Sequence, residues 1–89
     1  MDKITQITEI SAAGIQVANY FRLGYEGQAN KELIIFLDRL ELLLSAQTGE
    51  VKNSILTLTE VMFQAQTRND MLFLADILQY ELLPLLHNL

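Results

Sequence analysis

The last long segment of the chain, Asp70 to Leu86, constrains the fold most because it is apolar around most of a helical surface. Its sequence is DMLFLADILQYELLPLL, and its strongly polar side chains after the first residue are Asp76, Gln79 and Glu81. At about 100° per residue, the first two of these share one narrow face with Tyr80 and Leu83. A helix that is apolar over the rest of its surface must be enclosed by other elements. The sequence therefore predicts that the remainder of the chain packs around this segment.

Three earlier segments carry apolar residues at helical spacing and are the predicted neighbours. They run from about Asp2 to Arg22, from Lys31 to about Gln47 after an Asn30 cap, and from about Glu50 to Gln66. Their main stripes are Ile4, Ile7, Ile10, Gly14, Val17 and Phe21; Leu33, Phe36, Leu37, Leu40, Leu43 and Leu44; and Val51, Ile55, Leu58, Met62 and Ala65. Short connections favour antiparallel neighbours. The predicted fold is an all-α, antiparallel up-down four-helix bundle, with residues 1–89 as a single domain.

Two residues decide how the segments begin and end. Gly49 favours a turn between the second and third segments, although one fused helix stays possible because glycine costs only about 1 kcal/mol in a helix interior. Pro84 cannot donate to the carbonyl of Tyr80, so the last helix is expected to kink or stop near Leu83.

A row of small residues in the first segment, Ser11, Gly14 and Ala18, favours close approach of a neighbouring helix within the bundle, with a partner groove as the alternative.

Composition argues against several classes of function. The chain has no cysteine, which argues against a disulfide scaffold, a thiolate zinc site and cysteine catalysis. The net charge is −5, and the six basic residues are scattered, so nucleic acid and anionic membranes are not expected partners. No apolar run reaches the roughly 18 residues of a membrane span. The N-terminus lacks the pattern of a secretory signal, and a cytoplasmic location is expected.

The chain offers few residues for catalysis or metal binding. His87 is the single histidine and lies near the end of the chain, so no Glu-x-x-His pair for a di-iron site exists. Gly24 and Gly27 lack the Lys-Ser or Lys-Thr pair that follows a phosphate cradle. Asp38 and Glu41 share a helix face, but charged pairs at this spacing usually form a solvated surface. We expect no catalytic residue, no cofactor and no metal.

Glu81 is the one acidic residue that the helical pattern places beside the apolar side of the last segment. A buried carboxylate needs a partner or a raised pKa, and Arg39 or Arg22, or a tyrosine hydroxyl, would suit. The pattern therefore suggests Glu81 and Arg39 as a buried polar pair, with a partly exposed Glu81 at the bundle edge as the alternative. A small-ligand carrier or enzyme with a pocket near Glu81, Tyr80 and Tyr25 is the alternative function.

The residues Asp70, Leu74-Ala75-Asp76, Leu78, Tyr80-Glu81-Leu82, Pro84 and Leu86 carry a resemblance. This stretch resembles the C-terminal part of small, functionally uncharacterised helical proteins of Gram-positive bacteria, and it covers about the last fifth of the chain. The resemblance implies a helical fold and no particular activity. In its general shape, a short acidic helical chain with surplus apolar surface, the protein is also similar to flagellar export chaperones, although no motif carries that similarity.

Apolar residues outside the main stripes suggest an interface. They are Ile34, Ile35 and Leu42 on the second segment, Leu56 and Phe63 on the third, and Phe73, Tyr80 and Leu83 on the fourth. Gathered on one side, they would form a patch too large for a typical monomer surface. A homodimer is the commonest cover for such a patch, and a partner protein's helix is the competing one. The leading hypothesis is a non-enzymatic protein-interaction module that associates as a homodimer or holds a partner protein's helix, and its predicted interface includes Ile35, Leu42, Leu56, Phe63, Phe73 and Tyr80.

Overall fold

Four helical segments make up the protein, and the computed structural model describes residues 2–89. Helix α1 is Lys3–Arg22, α2 is Glu26–Ser45 and α3 is Glu50–Thr67. The fourth segment, α4, consists of Met71–Asp76, a π-helical stretch Ile77–Leu82, and Leu83–Leu86. Helix accounts for 84% of the described residues, and these contain no strand. The all-α prediction is confirmed.

The turn between α1 and α2 is shorter than predicted. Gly24 adopts a left-handed conformation with φ of 80°. Around it, the N–H of Tyr25 donates to the Tyr20 carbonyl at 2.9 Å, and the N–H of Gly24 donates to Phe21 at 3.1 Å. These two hydrogen bonds satisfy carbonyl groups in the last turn of α1 and end the helix. Because one glycine suffices, α2 begins at Glu26 instead of Lys31, and the prediction that Asn30 caps it is wrong.

The two later turns follow the sequence prediction more closely. Gly49, with φ of 103°, separates α2 from α3, which confirms the turn and excludes a fused helix. At the end of α3, Asn69 takes the left-handed conformation, and the next N–H, that of Asp70, donates to the Ala65 carbonyl at 2.8 Å. Asp70 then caps α4 by accepting from the N–H of Phe73 at 3.3 Å.

The π-helical turn in α4 changes which residues face the core. It ends at Leu82, two residues before Pro84, whose ring would clash with the Tyr80 carbonyl in a regular helix. The N–H of Leu83 donates to the carbonyl of Leu78, five residues earlier, and both side chains are buried. This wider turn delays the rotation of the helix by about one residue. The helix therefore does not stop near Leu83 but continues to Leu86, and the predicted break in its regular hydrogen bonding takes the form of a π-helical turn.

The core forms where α4 meets the other helices. Helix α1 packs closely against α2 and α4, and α3 packs closely against α4. Fully buried large side chains come from all four helices: Val17, Phe36, Ile55, Met62, Leu74, Leu78, Leu82 and Leu86. Ile4, which the helical spacing places in the core stripe of α1, is 79% exposed because it lies in the first turn, beyond the packed region.

Gly14 marks a close approach between helices. A Cβ atom at this position would lie 2.7 Å from Leu83 Cδ2 and 3.0 Å from Phe36 Cε1. The side chains of α2 and α4 therefore meet over the bare backbone of α1. Ala18 is also buried, and Ser11 is partly buried. The structure supports the interpretation that these small residues serve close packing within one chain.

Asp2 caps the start of α1. Its Oδ1 accepts a hydrogen bond from the backbone N–H of Thr5 at 2.7 Å, and this bond lowers the pKa of the Asp2 carboxyl. Among residues 2–89, no helix combines the length and the apolar character that crossing a bilayer requires.

Candidate functional site

An open groove separates α2 from α3. At one end, Gln66 Nε2 donates to Asn30 Oδ1 at 2.9 Å and joins the two helices. At the other end, beside the connecting turn, Lys52 Nζ donates to the carbonyl of Gln47 at 3.2 Å. Between these points the two backbones stay farther apart than those of α1 and α2, α1 and α4, or α3 and α4. The result is a trough between the C-terminal half of α2 and the part of α3 from Lys52 to Phe63.

Leucine and phenylalanine side chains form most of this trough, which we call the α2–α3 groove. It has a volume of about 460 Å³, and its lining consists of Leu37, Leu40, Glu41, Leu44, Ser45, Lys52, Leu56, Thr59 and Phe63. Leu40 and Leu44 are buried, whereas Leu56 and Phe63 are 46% and 47% exposed. Leu37 is partly buried and belongs to the edge of the core. The groove therefore has an apolar floor that is continuous with the core and an apolar wall that is open to solvent.

The six predicted interface residues do not form one patch. Leu56 and Phe63 both line the α2–α3 groove, but Leu42 lies in a separate small depression between α1 and α2, beside Ile10. Tyr80 lies in a third depression, between α1 and α4, beside Ile15. The prediction that these side chains gather on one side is wrong, because opposite flanks of α2 face different neighbours.

The other predicted interface residues have their own surroundings. The Phe73 ring lies under the guanidinium of Arg68, with 5.2 Å between the carbon of that group and the ring centroid. Ile34 and Ile35 are exposed on α2. Leu83, which was expected to be surplus, is buried because the π-helical turn rotates it into the core.

Glu81 and Arg39 are not a buried pair. Both side chains are exposed, and the described part of the chain contains no buried charged residue. The π-helical turn explains the error, since it turns Glu81 away from the apolar flank on which a regular helix would place it. Tyr25 packs against Tyr20, with 6.4 Å between ring centroids, and Tyr80 lies in a depression that Glu81 does not line. The residues of the predicted ligand pocket are therefore not brought together.

Arg22 pairs with α4, but through a different acid. Its Nη2 lies 2.9 Å from Asp76 Oδ1, its Nη1 donates to Gln79 Oε1, and the guanidinium carbon lies 5.3 Å from the centre of the Tyr80 ring. The predicted polar face of α4, with Asp76, Gln79 and Tyr80, thus meets the end of α1. Because the Asp76 side chain is 61% exposed, solvent screens this ion pair.

A double-mutant cycle should separate these two assignments. Arg22→Met combined with Asp76→Asn is expected to show a coupling free energy below about 1 kcal/mol, as is usual for exposed pairs. Arg22→Met combined with Glu81→Gln is expected to be additive within about 0.5 kcal/mol, because no contact joins them. Urea denaturation of the wild type, the three single variants and the two double variants measures both values. Coupling to Glu81 larger than coupling to Asp76 would contradict the observed pairing.

Metal-binding side chains are scattered over the surface. Residues 2–89 contain no group of three or more histidine, cysteine, aspartate or glutamate side chains that could hold a metal ion. Asp38 and Glu41 lie on the exposed side of α2, and Glu41 lines the α2–α3 groove. His87 is exposed beside Pro84.

The comparisons with known proteins add no relative. No protein-family model, no curated protein and no solved structure matches this chain.

Sequence reasoning identified one wall of the groove and missed the other. Leu56 and Phe63 were recognised because they fall outside the main stripe of α3. Leu37 and Leu44 were assigned to the core stripe of α2, and in the structure they also form the opposite side of the groove. Helical periodicity indicates which residues are apolar on one face, but it does not encode how far apart two neighbouring helices lie.

Proposed function

We propose that the protein is a non-enzymatic protein-interaction module that holds a helix of another protein in the α2–α3 groove. Its scaffold is an antiparallel up-down four-helix bundle in which the side between α2 and α3 is open. The observation that carries the proposal is the apolar trough between these two helices, whose floor is continuous with the core. A helix laid there would cover Leu56 and Phe63 and complete the packing of the bundle.

The dimensions of the groove favour a helix as its occupant. The lining spans Leu37–Ser45 on α2 and Lys52–Phe63 on α3, roughly 12 Å and 17 Å of helix at about 1.5 Å per residue, so a helix of about 15 residues would cover the groove and extend beyond it. An amphipathic helix presents apolar side chains every three or four residues to such a trough. Pockets for small molecules usually enclose their ligand and converge several polar groups on it. The α2–α3 groove is open along its length and mainly apolar, so it supports a helix better than a small ligand.

A second copy of this chain is the competing occupant. Exposed apolar side chains also lie outside the groove, among them Ile35, Leu42 and Tyr80, and they would favour self-association. A stable protein interface buries about 800 Å² on each partner. The exposed apolar residues lie on different sides of the bundle, and the groove alone offers only part of that area. We therefore favour a heterologous helix and retain the homodimer as an outcome to be tested.

The test uses a helical peptide of about 15 residues with leucines at positions i, i+3, i+7, i+10 and i+14 and uncharged glutamines elsewhere. We expect saturable binding that shifts the methyl NMR signals of Leu37, Leu44 and Leu56. Phe63→Glu should weaken binding at least about tenfold, because it places a carboxylate against the apolar stripe of the peptide. Phe73→Glu is the matched control, since it changes another exposed phenylalanine that does not line the groove.

Light scattering on the free protein tests the competing occupant. A mass near 10.1 kDa at tens of micromolar is expected if the groove awaits a partner helix. A mass near twice that value, which Phe63→Glu halves and Phe73→Glu does not, would assign the groove to a second copy. Peptide binding that is absent, or that is equally weakened by both glutamate variants, would refute the proposed function.

A further inference from the structure

We infer that the helix held by the α2–α3 groove is cationic, with lysine or arginine on both flanks of its apolar stripe. This inference rests on the proposed function and specifies the chemistry of the partner. It follows from the position of three carboxylates, Asp38, Glu41 and Glu60, in or beside the groove.

Three acidic side chains lie in or beside the groove: Glu41 lines it, and Asp38 and Glu60 lie next to lining residues on the outer surfaces of α2 and α3. On α2, Glu41 lines the groove, and Asp38 lies one helical turn before it on the same face. On α3, Glu60 lies one turn after Leu56 and one turn before Phe63, the two residues of the exposed wall. All three carboxylates are exposed. A helix bound in the groove would therefore have carboxylates near both of its flanks, from α2 on one side and from α3 on the other.

These carboxylates have no basic partner within the described chain. The ion pairs found among residues 2–89 join Arg22 to Asp76 and Arg68 to Asp70. Lys52 is the basic residue in the lining, and its ammonium group is hydrogen-bonded to the Gln47 carbonyl at the closed end of the groove. Because that carbonyl is neutral, Lys52 keeps its positive charge, and with the three carboxylates it leaves a net charge of −2 along the groove that an incoming cationic helix can meet.

A second copy of this chain does not offer the complementary charge. None of its four helices has more than two basic residues, and α4 between Met71 and Leu86 has none. Each copy also carries a net charge of −5. Opposite charges across an interface favour association and like charges disfavour it. Charge complementarity therefore selects a helix from another protein, and a basic one.

The experiment compares three labelled peptides that share the same leucines. Their flanking positions carry lysine, glutamine or glutamate, and fluorescence anisotropy measures binding to the full chain. At about 50 mM salt we expect the lysine peptide to bind about tenfold tighter than the glutamine peptide and the glutamate peptide to bind weakest. At about 500 mM salt the differences should shrink severalfold, because exposed charges are screened.

Two triple variants with the same net charge test whether the groove carboxylates are responsible. Asp38→Asn/Glu41→Gln/Glu60→Gln should remove most of the preference for lysine over glutamine and leave the affinity for the glutamine peptide within about twofold. The control Glu9→Gln/Glu26→Gln/Glu81→Gln neutralises three exposed carboxylates that neither line the groove nor lie one helical turn from a lining residue, and it should keep most of the preference.

The outcomes separate this inference from the proposed function. Equal binding of the three peptides, or an equal effect of the two triple variants, overturns the inference and leaves a groove that takes an uncharged helix. Binding of none of the peptides overturns both. Circular dichroism of each variant confirms that the helices persist, so that loss of binding reports the groove and not unfolding.

Discussion

Replacing Leu78 by alanine is expected to lower the free energy of unfolding by about 2–5 kcal/mol. Leu78 is fully buried in α4, and its carbonyl accepts the N–H of Leu83 in the π-helical turn. Removing three carbon atoms from a packed site loses their burial and leaves a cavity that the neighbours fill only in part. At roughly 0.05–0.15 kcal/mol per residue, a domain of this size has about 4–13 kcal/mol of stability, so the loss is a large fraction.

Urea denaturation followed by circular dichroism measures this change, and Leu72→Ala is the matched control. Leu72 lies on the same helix but is 62% exposed, so the same substitution there should change stability by no more than about 0.5 kcal/mol. A loss below about 1 kcal/mol for Leu78→Ala, or equal losses for both variants, would show that α4 is not the element around which the core forms.

The central position of α4 could be predicted from sequence because it depends on a property of the whole segment. Apolar side chains cover most of the helix surface between Met71 and Leu86 when the residues are placed at 3.6 per turn, and a helix with such a surface must be buried. The orientation of individual residues after Ile77 could not be predicted in the same way. Pro84 was recognised as a break in hydrogen bonding, but a break can be resolved by a kink, by a stop or by a wider turn.

The π-helical turn explains two wrong predictions, one for Leu83 and one for Glu81. A delay of about one residue turns Leu83 into the core and Glu81 into solvent, whereas a regular helix would place them the other way round. Leu83 then fills the space over Gly14, where a side chain on α1 would clash. The π-helical turn thus accommodates Pro84 and also places Leu83 over Gly14, and the second effect involves a neighbouring helix that the sequence of α4 alone does not describe.

The candidate site was predictable to a similar extent. The surplus apolar residues of α3, Leu56 and Phe63, could be named from periodicity, and both line the α2–α3 groove. Their grouping with Leu42 failed because the two flanks of α2 face different neighbours, α1 on one side and α3 on the other. Which flank of a helix meets which neighbour is a property of the assembled bundle, and apolar periodicity alone does not specify it.

Replacing Gly14 by leucine is expected to destabilise the protein by about 3 kcal/mol, against the direction of helix propensity. Leucine is favoured over glycine in a helix by nearly 1 kcal/mol. At Gly14, however, even the Cβ atom would lie 2.7 Å from Leu83 and 3.0 Å from Phe36, so the remaining atoms would force α1 away from α2 and α4.

Gly27→Leu is the matched control, and Gly14→Ala tests how the loss of stability depends on the size of the side chain at position 14. Gly27 lies in the first turn of α2, and a Cβ there meets nothing within 4 Å, so leucine should be neutral or slightly stabilising. Alanine at position 14 should change stability by about 1 kcal/mol or less, because the ends of flexible side chains can shift and helix propensity offsets the crowding. Urea midpoints of the three variants measure the differences. If Gly14→Leu were as harmless as Gly27→Leu, α1 would not pack through its backbone, and the close meeting of Phe36 and Leu83 over Gly14 would be refuted.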